Sequence, residues 1–141
     1  MFKVGKQVET ALLALKELEY SSSGSSISSI SEKHKLSKNT LAKVLQTLLN
    51  SGHLKSSQGV KGGYSLIKPL SEISFYELLN ELNEVKRLTC HSKEGCQLQN
   101  TCTIKSPLKA WEKRFEDFLK STPVSDLVSQ DKTIQAQGVS I

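Results

Sequence analysis

The apolar positions of this chain fall into short periodic runs divided by polar, small-residue stretches. In residues 6–19, Val8, Leu12, Leu15 and Leu18 recur at three- and four-residue steps with Ala11, Leu13 and Ala14 between them, which predicts a buried first helix. SSSGSS at 21–26 has no such rhythm and reads as a loop. SISEKHK predicts a short second helix with Ile30 facing inward and Ser28 or Ser29 as its N-cap. A turn at Leu36 and Ser37 leads into KNTLAKVLQTLLNSG, where Leu41, Val44, Leu45 and Leu48 share one face, Ser37 is the N-cap and Gly52 the stop. Helix, short turn, helix is the helix-turn-helix pattern.

Beyond it the period changes. His53–Lys55 and Tyr64–Ile67 predict two short strands, and the glycine-rich SSQGVKGG between them predicts a hairpin loop, so that the pair forms a wing over 53–68, ended by Pro69. Ser74-x-x-Glu77 is a capping box that opens the helix FYELLNELN. A further helix is expected to start at Ser106 (N-cap) and Pro107 (first turn) and to run through Lys120. Ile104, Leu108, Trp111, Phe115, Phe118 and Leu119 form its apolar stripe, at a spacing that suits either core packing or a partner helix. Thr122-Pro123 opens a last short turn carrying Val124, Leu127 and Val128. The expected fold is α+β, mainly α. A winged helix-turn-helix spans 1–85, a cysteine-bearing loop 86–104, a long helix with a short cap 105–129, and a polar, disordered tail 130–141.

Charge sharpens this picture. The net charge of +5 is local, because seven lysines and no acid lie between Lys33 and Ser71, whereas ten of the fourteen acids lie from Glu72 onward. A basic stretch without interspersed acids is the footprint of a phosphate-backbone partner rather than of an ordinary solvated face. With the apolar stripe of the third helix pointing inward, Asn39, Lys43, Gln46 and Asn50 point outward. Residues near the start of such a helix approach bases most closely, which favours Lys38, Asn39, Thr40 and Lys43, with the N-cap Ser37 beside them. Amides can read adenine edges, and lysine reaches guanine acceptors or phosphate. The region has no arginine, so it supports backbone attraction better than planar, bidentate base reading.

The three cysteines lie in CHSKEGCQLQNTC, with Cys90, Cys96 and Cys102 each separated by five residues. No signal-peptide pattern and no membrane-length apolar run stands in the chain, which points to a reducing, cytoplasmic setting and away from disulfides. On one helix the three thiols would point three ways, and on one strand neighbours would lie ~20 Å apart. Only a wrapping loop lets them meet, and Gly95 and Asn100 permit one. Unrelated cysteines, zinc, reactive thiols and an iron–sulfur cluster stay open at this point. The wide gaps suit a cluster better than the tight pairs of zinc sites.

Taken together, LSKNTLAKVLQTLLNSGHLKSS, QGVKGGYSLIKP, SEISFYELL, the C-x5-C-x5-C loop, the Trp-bearing helix and TPVSDL resemble the IscR/NsrR-type bacterial winged-helix regulators over residues 5–128. The resemblance implies a homodimer in which the helix from Pro107 to Lys120 crosses its mate, and a pseudo-palindromic double-stranded DNA partner. It also implies a 2Fe–2S cluster (4Fe–4S in some members) on Cys90, Cys96 and Cys102. One branch takes a fourth ligand from a histidine where this chain has Lys105; another takes a carboxylate from the first helix of the opposite subunit, which here falls on Glu9. His91, beside Cys90, is the alternative, and His34 and His53 lie in the DNA-binding half. Family members commonly place arginine where this chain has Gln58; Lys61 can partly compensate. The expected function is therefore a repressor whose DNA affinity follows a cluster that senses nitric oxide, redox or iron–sulfur status. The rivals are a winged-helix regulator with zinc or free thiols at the same loop, and a winged-helix binding module without a transcriptional role. No nucleophile–base arrangement or phosphate loop suggests an enzyme.

Overall fold

The computed structural model describes residues 3–85, 96–98 and 100–129. Helix α1 (Lys6–Tyr20) buries Val8, Ala11, Ala14, Leu15 and Leu18, the stripe its periodicity predicts. The buried Thr10 is satisfied within the helix, its hydroxyl donating to the Lys6 carbonyl at 2.8 Å. Helix α2 (Ile27–His34) starts earlier than expected: Ser26, not Ser28 or Ser29, is the N-cap, its hydroxyl accepting from the Ser29 amide at 3.1 Å. Any serine of this run can cap chemically. Starting at Ser26 carries Ile27 against the core along with the fully buried Ile30, and that burial selects the cap.

Lys35 takes a left-handed conformation (φ 52°) to end α2, and the Ser31 hydroxyl donates to the Leu36 carbonyl at 2.7 Å, drawing the turn tight. Helix α3 (Lys38–Asn50) then begins at Ser37 and buries Leu41, Val44, Leu45 and Leu48, as its pattern predicts. It ends in a Schellman motif: Gly52 has φ 80°, its amide reaches the Leu49 carbonyl, and the His53 amide reaches the Leu48 carbonyl.

The wing is a two-stranded antiparallel sheet, β1 (Leu54–Ser57) and β2 (Gly63–Leu66), registered from Leu54 opposite Leu66 to Ser57 opposite Gly63. The strands expected over 53–55 and 64–67 are thus displaced, and pairing runs on into polar serines. Ser56 and Ser57 are exposed, so no hydrophobic alternation marks them, and backbone pairing alone makes them strand. The 21–26 loop also contributes a bridge that the sequence did not announce. Ser25 and Tyr64 exchange both backbone hydrogen bonds at 2.9 Å, giving the wing a one-residue third strand. Gly63 permits this approach, because a Cβ there would lie 2.6 Å from the Ser25 carbonyl oxygen.

After a 3₁₀ turn (Leu70–Glu72), helix α4 (Phe75–Glu81) opens on the expected capping box: the Ser74 hydroxyl accepts from the Glu77 amide, and the Glu77 carboxylate accepts from the Ser74 amide at 2.8 Å. Asn83 (φ 56°) and the Glu84 amide, which donates to the Leu79 carbonyl at 2.8 Å, close α4 with a second Schellman motif. Helix α5 (Lys105–Ser121) begins two residues before the expected start, with Ile104 rather than Ser106 at the cap position. Pro107 still lies in the first turn, where its missing N–H has no intrahelical partner to lose.

The end of α5 is fastened to the winged domain by backbone bonds from the Phe75 amide to the Thr122 carbonyl (2.7 Å) and from the Val124 amide to the Ile73 carbonyl (2.8 Å). Helix α6 (Val124–Val128) then inserts Val124 and Val128 into the core beside α1 and the 3₁₀ turn. This is the α+β, mainly α, winged-helix architecture. The residue-130 onward tail lies outside the described residues, as does most of the 86–104 loop. No helix among the described residues is long and apolar enough to cross a membrane.

Candidate nucleic-acid interface

The outer face of α3 is built by the packing of its inner one. With Leu41, Val44, Leu45 and Leu48 in the core, Lys38, Asn39, Lys43, Gln46 and Asn50 are exposed and Thr40 is half-buried. Ser37, also exposed, holds the N-terminus through its hydroxyl, which accepts from the Thr40 amide at 3.5 Å. The free amides of this first turn and the positive end of the helix dipole face the same way as Lys38. Farther along, the Gln46 side-chain amide donates to Asn50 Oδ1 at 3.0 Å, so these two side chains are already oriented toward solvent.

The wing extends this face. Gln58 and Lys61 both lie in the exposed loop between β1 and β2, and Lys55 is exposed on β1. That loop turns on Gly59 (φ 110°), and its ends are joined by the Gly62 amide donating to the Gly59 carbonyl at 2.9 Å. Each residue named for DNA contact from the sequence is therefore available, on α3 or on the wing tip. Of the seven lysines, Lys33 alone forms an ion pair among the described residues. It meets Glu17 of α1 at 2.8 Å, with His34 Nε2 at 3.2 Å from the same carboxylate oxygen. The Lys33 hydrogen bond, aided by His34, holds the Glu17 carboxyl below its ordinary range against the opposing effect of burial. The other lysines keep their positive potential for an outside partner.

Cys96 and Cys102 are half-buried just ahead of α5, while Cys90 and His91 lie outside the described residues. Glu9 is exposed in the first turn of α1, its carboxylate 3.3 Å from the Lys6 ammonium. Among the described residues no three His, Cys, Asp or Glu side chains converge. His34 is taken by Glu17, and the buried His53 donates or accepts at Nε2 against Glu81 Oε1 at 2.6 Å. The His53–Glu81 contact has no sequence signature, because its partners are 28 residues apart on elements of different type. The donor set nonetheless suits an iron–sulfur group chemically, since three thiols offer soft thiolate ligands.

Helix α5 presents the remaining surface. Its predicted stripe divides: Leu119 is buried and Phe115 rests on the core, but Ile104, Leu108, Trp111 and Phe118 are exposed, Trp111 at 52%. Trp111 stacks on Phe115 with ring centroids 5.9 Å apart. An apolar row of this size on one helix marks an interaction surface.

One protein family, Rrf2, described as an iron-dependent transcriptional regulator, matches residues 4–130. Among solved structures, CymR (YrzC), the global cysteine regulator of B. subtilis, superposes with a TM-score of 0.72 at 23% identity, over 94% of this chain and 100% of that one. IscR of T. potens is similar at a TM-score of 0.70 and 25% identity, over 97% and 94%. The oxidised form of Staphylococcus aureus CymR follows at 0.68 and 25%, over 94% and 100%.

Proposed function

Since this chain belongs to the Rrf2 family of transcriptional regulators, we propose that it is a cytoplasmic, homodimeric repressor whose affinity for DNA follows the state of an iron–sulfur cluster. The observation that carries the DNA-binding part is the acid-free, lysine-bearing face formed by α3 and the wing. Lys38, Asn39, Thr40 and Lys43 enter the major groove, with Ser37 at the phosphate-facing helix end. Gln46 extends the same row, and Gln58 and Lys61 reach the backbone or minor groove from the wing. Two such faces bind half-sites about one helical turn, ~34 Å, apart. The exposed Ile104, Leu108, Trp111 and Phe118 pack against the same row of a second copy.

Cys90, Cys96 and Cys102 would hold a 2Fe–2S cluster, with Glu9, supplied by the second subunit, as the fourth donor. Lys105 stands at the position where a histidine would otherwise complete the set, and an ammonium is no ligand. When bound, the group supplies a centre reactive toward nitric oxide and oxidants at its one non-thiolate position. This chain's part is to carry the consequence: the cysteine segment joins the stem after α4 to α5, so its rearrangement alters the spacing of the two α3 helices. The segments divide accordingly into a DNA-binding unit over 1–85, a cluster segment over 86–104 and a dimer unit over 105–129.

A second reading is supported by the likeness to CymR, a cysteine regulator with an oxidised form: the same three thiols act directly, without a metal, as the sensing groups. Anaerobic purification with visible absorption and iron, sulfide and zinc analysis separates the two. The cluster reading expects a coloured protein with stoichiometric iron and sulfide, and a Cys96→Ala variant that loses both and changes its affinity for a duplex obtained by sequence selection. A colourless, iron-free protein whose Cys96→Ala variant binds that duplex like wild type would overturn it.

A further inference from the structure

We propose that the pair formed by the buried His53 and the half-buried Glu81 is a positioning device that ties the stem of the cysteine segment to the root of the wing, so that DNA binding and the stem respond to each other. The proposal rests on the DNA-binding reading above and identifies the contact through which that surface communicates.

Three observations carry it. First, the bond is short, and the His53 imidazole has no other partner among the described residues. Nε2 of His53 lies 2.6 Å from Oε1 of Glu81, and neither His53 Nδ1 nor Glu81 Oε2, both buried, has another partner among the described residues. If the two groups part, the buried His53 imidazole is left without a substitute partner, so it holds to Glu81.

Second, His53 is rigid relative to the DNA-facing elements. It is 4% exposed, its amide donates to the Leu48 carbonyl in the α3 C-terminal motif, and its carbonyl accepts from the Ile67 amide at the end of the wing. A displacement of the imidazole is therefore felt by both α3 and the hairpin.

Third, Glu81 is the last residue of α4 and opens directly into the stem, Leu82–Val85, that precedes the cysteine segment. The stem is itself held: the Glu84 amide returns to the Leu79 carbonyl, and the Glu84 carboxylate lies against Gly5 at the start of α1, where a Cβ would meet its oxygen at 2.5 Å. A short, directional hydrogen bond weakens steeply as its geometry changes, whereas an apolar contact slides. The pair thus passes on a small shift that a Leu–Leu contact in its place would absorb.

The double variant His53→Leu/Glu81→Leu removes both polar partners at once, which avoids stranding either and keeps the fold. The measurement is hydrogen exchange of the peptide over residues 76–85, free and bound to the selected duplex, with thermal unfolding as the control for folding. Coupling is reciprocal, so binding at α3 and the wing should slow exchange at the stem of the wild-type protein by about fivefold or more. In the double variant, unfolding near the wild-type temperature, that slowing should vanish. Glu81→Gln alone keeps His53 and an acceptor oxygen in place and should retain the slowing. Equal slowing in wild type and double variant, or none in a wild type that binds the duplex, would overturn the inference alone. A wild type that binds no duplex at all would overturn the functional reading and this inference with it.

Discussion

At the scale of single residues, the charges that are paired matter as much as those left open. Glu17 accepts from Lys33 at 3.0 Å and faces His34 at 3.2 Å, and together they tie α2 to α1. Its folded pKa is depressed below the ordinary 4.5, principally by the Lys33 hydrogen bond. The sign follows from linkage: this contribution to stability is present above the unfolded value and is lost as pH falls through the folded one. Glu17→Gln should therefore lower stability at neutral pH and reduce the loss between neutrality and pH below 4.5, measured as urea midpoints across that range. An unchanged acid limb would show that the pair adds nothing. Ser26 and Ser25 illustrate the opposite situation, in which a residue's role follows from its neighbours. Both are serines in a serine-rich run, and only burial of Ile27 and pairing with Tyr64 single them out.

Among the elements, α5 is the one whose sequence pattern admitted two outcomes, core packing or a partner helix, and its stripe is divided between the core and an exposed row. Its C-terminal end is core, through Leu119 and the α6 insertion, and Lys120 sits 4.8 Å over the Tyr76 ring to brace it on α4. Its N-terminal two-thirds keep Ile104, Leu108 and Trp111 exposed, with Phe118 continuing the row. Trp111→Glu places an unpaired charge at the centre of that row. It should weaken self-association by about 2 kcal/mol or more, read by sedimentation equilibrium, with the monomer's circular dichroism unchanged. A variant that remains as associated as wild type would remove α5 from the interface. α3 needed no such arbitration: its cap, stripe and stop agree, so local propensity and packing select the same helix.

For the whole molecule, the relevant quantity is the field of the α3–wing face. Lys38, Lys43, Lys55 and Lys61 are exposed on α3 and the wing, while the acids from Glu72 onward lie on the 3₁₀ turn, on α4 and the stem after it, on α5 and α6, or outside the described residues. Phosphate neutralisation makes affinity fall with salt, so Lys43→Gln should weaken duplex binding evenly across sequences and reduce the log–log salt slope by about 1. Anisotropy titrations at several salt concentrations measure it, and an unchanged slope would move Lys43 off the phosphate backbone.

Much of this was legible beforehand, for a physical reason. Helix periodicity, Ser37, the Ser74–Glu77 box and Gly52 are local signals, readable within a few residues, and they determine α1, α3, α4 and the mainly helical winged class. The absence of acids between Lys33 and Ser71 is likewise a property of the chain alone, and it already points to a polyanionic partner. What only the tertiary structure decided are contacts between residues distant in sequence, where several local choices are nearly equal: the serine that caps α2, the Ser25–Tyr64 strand that holds the wing, the division of the α5 stripe and the His53–Glu81 pair. In each case burial and backbone pairing across the core, rather than local preference, supply the energy that selects one outcome.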